Sequence, residues 1–313
     1  ERCRIMPDNA AGRALTEINK EIYELQTYLS FEGERVIERV SNMRTFAQAC
    51  SQGYAVRARR IPEIPEVLGE KVFAEEFGIC RTDTYTVPVG LSYENISPIN
   101  IDLLTQGWFA ILGRRGGGKK NLLKIILDQL CRNLFACPSE VYIIDAVDRG
   151  LGIFKESGIV KEYTIDASDL VLYMEEIYEE LSVRYREIAA GNMELTDEPL
   201  KLVVVRNMDA VENLCKNSAA MNQYRELAGR LKSMKICFIY MDVANAPVGY
   251  NAPEILKAIK DNRNFFFFDD LQNLKVCDIP VATVRKFRKK IMSGDGYWLA
   301  GNEVLKVKTV KSL

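Results

Sequence analysis

The sequence predicts an α/β protein, a mostly parallel sheet sandwiched between helices, and three observations predict it. Short continuous runs such as "VYIID", "KLVVV", "ICFIYM" and "NFFFF" lack the alternation of a strand with one wet face, so they read as strands covered on both sides. Amphipathic segments separate these runs, as in strand–helix–strand units. One further run, "GWFAILG", ends in a glycine-rich loop that opens into an apolar-rich segment, "GRRGGGKKNLLKIIL".

Taken in order, residues 15–29 read as helical, and so do residues 34–50, where Val36, Val40, Met43, Ala47 and Cys50 recur at spacings of three and four. The stretch "ARRIPEIPEVLG" follows, and Pro62 and Pro65 stiffen it into an extended connector. The domain boundary is placed there: residues 1–60 form a linker and small helical appendage, and residues 61–313 the main module. "TYTVPVGL" and "PINIDL" read as strands, followed by "GWFAILG", a helix over residues 121–135 and the strand "VYIID". A long helix over residues 168–190 turns Met174, Ile177, Leu181, Tyr185 and Ile188 inward. "KLVVV" is the next strand, residues 218–234 a helix, and "ICFIYM" and "NFFFF" two more strands, the phenylalanines being core. "GYWLAGNEVLKVKTV" ends the chain as a hairpin whose turn is Gly301-Asn302.

Composition narrows the function. At 313 residues with 48% hydrophobic content there is material for one large domain with an appendage. The 42 basic and 43 acidic residues cancel, so no global basic field points to nucleic acid or a membrane surface. No apolar run approaches the roughly 18–20 residues that span a bilayer. The opening "ERCRIMPDNA" carries no secretory signal and reads as cut from something longer. The chain has no histidine, which excludes Ser-His-Asp and Cys-His catalysis. Its eight cysteines form no C-x-x-C pair, so inert buried thiols in a reducing compartment are expected rather than zinc sites or disulfides.

The loop carries the chemistry. Gly113, Gly118 and Lys119 fit the phosphate-loop pattern G-x-x-x-x-G-K-[ST], with strand before and helix after. Gly116 and Gly117 let backbone N–H groups turn toward a phosphate, the helix start at Asn121 adds partial positive charge, and Lys119 reaches the β- and γ-phosphates. The last position fails, because Lys120 replaces the hydroxyl that holds magnesium. At about 4 Å and an effective dielectric of about 20, unit charges interact by roughly 4 kcal/mol, and a divalent ion doubles the repulsion as an upper bound. Lys120 either substitutes for the metal by neutralising phosphate itself, or stays solvated or paired with an acid such as Asp145. The acidic pair that orients magnesium and polarises water belongs at the end of "KLVVV". Arg206 and Asn207 stand there. Asp145, at the end of "VYIID", is the rival candidate for a metal carboxylate.

"VPVGLSYENISPINIDLLTQGWFAILGRRGGGKK" resembles the approach to the nucleotide loop in FtsK/SpoIIIE-type ATPases, most closely the membrane-bound ATPases of bacterial type VII secretion systems. "RIPEIPE" resembles their linker before a module, "VYIIDAVDRGL" their second strand, and "DGYWLAGNEVLKVKT" their terminal hairpin; together these span residues 30–310. The resemblance implies a RecA-like P-loop core with degenerate Walker motifs, in the last module of a larger chain tethered to the cytoplasmic face of the plasma membrane. It implies helical-hairpin substrates of the WXG and LXG type, contact with neighbouring ATPase modules, and a homo-hexamer in the assembled machine. It places Arg184 and Arg186 near where such modules offer a charge to a neighbour's phosphate. The expected function is a non-hydrolysing module for substrate recognition or regulation in protein export, binding ATP or ADP weakly or not at all, without magnesium and without nucleic acid. The alternative is an active ATP-driven motor of the DNA-translocating branch.

Overall fold

The computed structural model describes residues 12–28, 30–53, 63–78, 85–132, 138–243, 246–288 and 291–312. The connector around Pro62, Thr84 at the start of "TYTVPVGL", Phe135, Leu29, Cys3, Cys80 and Cys137 lie outside them. The chain divides into two units, residues 1–61 and 62–313.

The first unit holds strands β1 (Arg13–Ile18) and β2 (Glu21–Gln26) and helix α1 (Val36–Gln52), with no buried residue among those described. The helix expected over residues 15–29 is therefore a hairpin. Leu15, Ile18, Ile22 and Leu25 are spaced by three and four, which suits one face of a helix. The turn decides otherwise: Asn19 and Lys20 both adopt left-handed φ, 54° and 71°, the geometry of a two-residue hairpin loop. Cys50, expected to be an inert buried thiol, is exposed on α1.

The second unit runs, in order, α2 (Glu70–Glu75), β3 (Thr86–Ser92), β4 (Pro98–Asp102), α3 (Leu103–Gln106), β5 (Trp108–Gly113), α4 (Lys119–Arg132), β6 (Ser139–Ile144), β7 (Val160–Thr164) and α5 (Asp169–Ala189). It continues with β8 (Leu200–Val205), α6 (Met208–Lys216), α7 (Ser218–Ala228), α8 (Leu231–Met234), β9 (Ile236–Met241) and α9 (Glu254–Asn262). It closes with β10 (Asn264–Phe268), α10 (Val281–Lys286), β11 (Asp295–Ala300) and β12 (Glu303–Thr309). The strands form one sheet of order β4-β3-β12-β11-β10-β5-β9-β8-β6-β7. From β10 to β7 every pairing is parallel, and from β4 to β10 every pairing is antiparallel.

Two apolar clusters cover the two faces. Tyr142, Val203, Val205, Phe265 and Phe267 face one; Ile143, Leu202, Val204, Phe266 and Phe268 face the other. Neighbours in sequence thus go to opposite faces and both are buried, which is why these strands show no alternation. The long helix α5 buries Met174, Ile177 and Leu181 as the spacing predicts, and Tyr173 beside them. Past Leu181 the 3.6-residue period carries the buried stripe to Arg184, so Tyr185, expected inside, is 39% exposed. The helix expected over residues 218–234 is broken at Gly229-Arg230 into α7 and α8. Among the described residues no helix is long and apolar enough to cross a membrane.

Candidate nucleotide-type site

The loop of residues 113–118 sits where parallel strand β5 gives way to α4, and three of its glycines need their freedom. Gly113, Gly116 and Gly118 have φ of 128°, 76° and 126°, a region costly for any residue with a Cβ. Neighbouring β10 sets the tightness of the turn. A Cβ on Gly113 would lie 2.6 Å from Phe268 N, and one on Gly117 2.4 Å from Phe268 O. Arg114 N donates to Phe268 O at 3.3 Å. The loop is thus wedged against the last of the four phenylalanines and keeps a cradle's shape.

Lys119 is turned into its own loop. Its ammonium donates to Gly113 O and, at 3.2 Å, to Arg114 O, and pairs with Asp242 at 2.8 Å. Asp242 follows β9, the strand between β5 and β8, and itself has φ of 61°. Lys120 is half exposed and pairs with Asp148 at 3.1 Å. The acid that Lys120 meets is Asp148, where the sequence pointed to Asp145. Asn121 does not turn toward the loop. Its Nδ2 donates to Val310 O at 2.6 Å, and its Oδ1 accepts from Ser312 N at 2.8 Å, so it ties down the C-terminal segment.

At the end of β8, Arg206 stands where an acid would face the loop. Its guanidinium donates to Asp145 Oδ1 and lies 3.1 Å from Asp148. Asn207 has turned away: its Oδ1 accepts from Asp209 N at 2.9 Å and caps α6. Strand β6 neighbours β8. Asp145 at its end is wholly buried and already satisfied. Besides Arg206, it accepts from Ala146 N at 2.8 Å, and from Leu151 N and the Tyr163 hydroxyl at 2.9 Å each. The rival assignment of Asp145 as metal carboxylate is therefore corrected, because no lone pair is left facing the loop. Burial and the Asp145 charge push the Tyr163 hydroxyl up to about 12. The Arg206 guanidinium, helped by Lys120, holds the Asp148 carboxyl down at about 2.

Arg184 is also corrected. Its side chain is 3% exposed, donates to Pro199 O and Met234 O at 3.0 and 3.2 Å, and pairs with Glu198 at 2.9 Å. A guanidinium fastened inside the fold cannot reach a neighbour's phosphate. Arg186 is exposed and lies against its own helix, donating to Ser182 O at 3.3 Å.

A cavity of about 570 Å³ opens on the loop, lined by Arg114, Lys119, Lys120, Asp148, Arg206 and Asp242 among others. Asp148, Asp242 and Phe268 were not singled out from the sequence. Only "DRG", an acid two residues before a glycine, could have flagged Asp148; a Cβ on Gly150 would lie 2.8 Å from Arg206 Nη1. Magnesium does not fit this site. Each carboxylate at the loop is ion-paired with a lysine or arginine, and no described trio of acidic or thiol groups could hold a metal. A phosphate fits the glycine cradle, provided that Lys119 swings off its carbonyls and Asp242.

No protein-family model matches the chain. It is 32% identical over 147 residues, 46% of its length, to the ESX secretion system protein EccC of Geobacillus thermodenitrificans strain NG80-2, of whose length that match is 10%. The solved structure of ATPases 2 and 3 of EssC from Geobacillus thermodenitrificans matches 98% of this chain and 57% of that one, with a TM-score of 0.65 at 21% identity. The structure of Thermomonospora curvata EccC, ATPases 2 and 3 in complex with a signal sequence peptide, matches 98% of this chain and 54% of that one, with a TM-score of 0.59 at 15% identity. The chain thus spans about a tenth of the curated relative and little more than half of each two-module structure. With its loop seated between a parallel strand and a helix, the chain is similar in sequence to EccC and in fold to the ATPase modules of EssC and EccC.

Proposed function

We propose that this module does not hydrolyse ATP and serves type VII protein export by recognising substrate or by regulating neighbouring ATPase modules. One observation carries the reading: the Arg206 guanidinium occupies the acid's place and is locked to Asp145 and Asp148. Arginine offers no lone pair to a metal, and Asn207, spent on capping, cannot take a proton from water. Lys120 adds a second positive charge, paired with the same Asp148 that Arg206 holds. Any ATP or ADP would bind weakly and without magnesium. The balanced charge and Arg206-Asn207 both speak against the DNA-translocating motor. The signal sequence peptide bound by the Thermomonospora protein supports a secreted protein as substrate, for which the WXG/LXG type is the class we propose, and the two-ATPase structures support contact between modules. In the full-length protein the module would lie at the cytoplasmic face of the plasma membrane, within a hexamer.

The test is a thermal-shift titration with ATP and ADP, with magnesium and with EDTA, beside a turnover assay and a pull-down with the C-terminal segment of a cognate substrate. We expect no magnesium-dependent stabilisation and no turnover above the buffer rate. Saturation at about 100 times Kd stabilises a fold by roughly 2.7 kcal/mol, so tight Mg·ATP binding would be conspicuous. Robust turnover, with no peptide captured, sinks the reading.

A further inference from the structure

The hairpin of the first unit repeats the hairpin that closes the large sheet, pair for pair. The β1/β2 ladder runs from Arg13↔Gln26 to Ile18↔Glu21, and the β11/β12 ladder from Asp295↔Lys308 to Ala300↔Glu303. Both have the same length and turn through two residues. A glycine with left-handed φ precedes each, Gly12 at 87° and Gly294 at 81°. In each, that glycine's carbonyl accepts two hydrogen bonds from one threonine just past the ladder. Thr27 donates through N and Oγ1 at 2.9 Å each, and Thr309 through N at 2.8 Å and Oγ1 at 2.9 Å. The polar pair at the open end recurs as well: Arg13 bonds Gln26 at 3.1 Å where Lys308 pairs with Asp295 at 3.1 Å.

What differs is the setting. β11 lies beside β10 and β12 beside β3, so Val307 and Val310 are buried. Their counterparts in the first hairpin are Leu25, which is half-buried, and Tyr28, which is 99% exposed. Ile18 and Tyr23 are about half exposed too. A lone two-stranded hairpin is marginal in water, and one that reproduces a sheet-closing device in this detail is built for a sheet.

We propose that the hairpin of residues 12–28 closes the sheet of a second P-loop core of this same type, lying ahead of it in the same polypeptide. Residues 15–18 would lie beside that core's counterpart of the Asn264–Phe268 strand, and residues 25–27 beside its counterpart of Thr86–Ser92. The latter strand must carry a glycine opposite Thr27, because a Cβ on Gly90 would lie 2.1 Å from Lys308 O. This deepens the neighbour-module contact proposed above, and it holds whether or not the loop hydrolyses ATP.

The experiment compares amide hydrogen exchange at residues 13–27 in this chain with that in the native polypeptide extended to include the preceding core. Sheet insertion should slow the hairpin amides by at least about 100-fold in the extended form. Leu25→Asp, at the position of buried Val307, should abolish that protection while leaving exchange in the 62–313 core unchanged. Equal exchange in both forms overturns the proposal, as does protection that grows with protein concentration, which would mean a second copy. A native gene with no P-loop core ahead of residue 1 overturns it outright.

Discussion

Arg206 shows how one side chain organises a site. Its guanidinium joins Asp145 and Asp148 in a salt-bridge knot, and the buried Asp145 has four hydrogen-bond donors around it. Such a pair is costly to form from hydrated ions, yet losing one partner strands a charge, at about 3–5 kcal/mol. Arg206→Met should therefore lower unfolding stability by about that much, and Asp145→Asn/Arg206→Met should recover part of it, as read by denaturant unfolding. A single-mutant loss of no more than about 0.5 kcal/mol, the size of an ordinary surface change, would show that the pair does not hold the site together. That Arg206 cannot serve magnesium was legible in its residue type. That it reaches Asp145 and Asp148 was not, because those residues lie far off in sequence and meet only through the β6–β8 pairing.

The loop works as an element through its contact with β10. Gly113 is paired with Phe268 in the parallel ladder, and the strand leaves it no room for a side chain. Gly116, at φ 76° and nearer the left-handed region open to other residues than Gly113 at 128°, would point a Cβ into open space. Gly113→Ala should therefore cost more stability than Gly116→Ala. The first adds a backbone clash to conformational strain; the second carries strain alone, roughly 1–2 kcal/mol. Urea midpoints of the two variants at unchanged m would read the difference, and equal costs would mean that β10 does not shape the loop. The strand–loop–helix order was legible because glycine spacing and apolar runs are local signals. The β1/β2 hairpin was misread because its apolar spacing suits two periods, and only the conformation at Asn19-Lys20 separates them.

At the scale of the whole molecule, burial among the described residues is confined to the second unit. Both apolar clusters on the sheet and a third around Leu68 and Phe73 belong to residues 62–313, whereas the described part of the first unit buries nothing. Removing residues 1–61 should therefore leave the thermal midpoint of the remaining core within about 2 °C, less than the shift expected from 1 kcal/mol in a domain of this size. A larger fall, measured by calorimetry, would show that the first unit supports the core.

The sequence by itself determined the α/β class and the seat of the loop, since periodicity and glycine spacing are written along the chain. Only the tertiary structure decided which charges meet. Lys120 finds Asp148 because Asp145 is already claimed by Arg206, and Lys119 finds Asp242 because β9 lies between β5 and β8. Arg184, which the helical period puts on the buried stripe of α5, is held there by Glu198 and by the carbonyls of Pro199 and Met234, partners that only the folded chain brings to it. Ion pairs follow from strand order, and strand order is a property of the folded sheet that no local stretch of sequence contains.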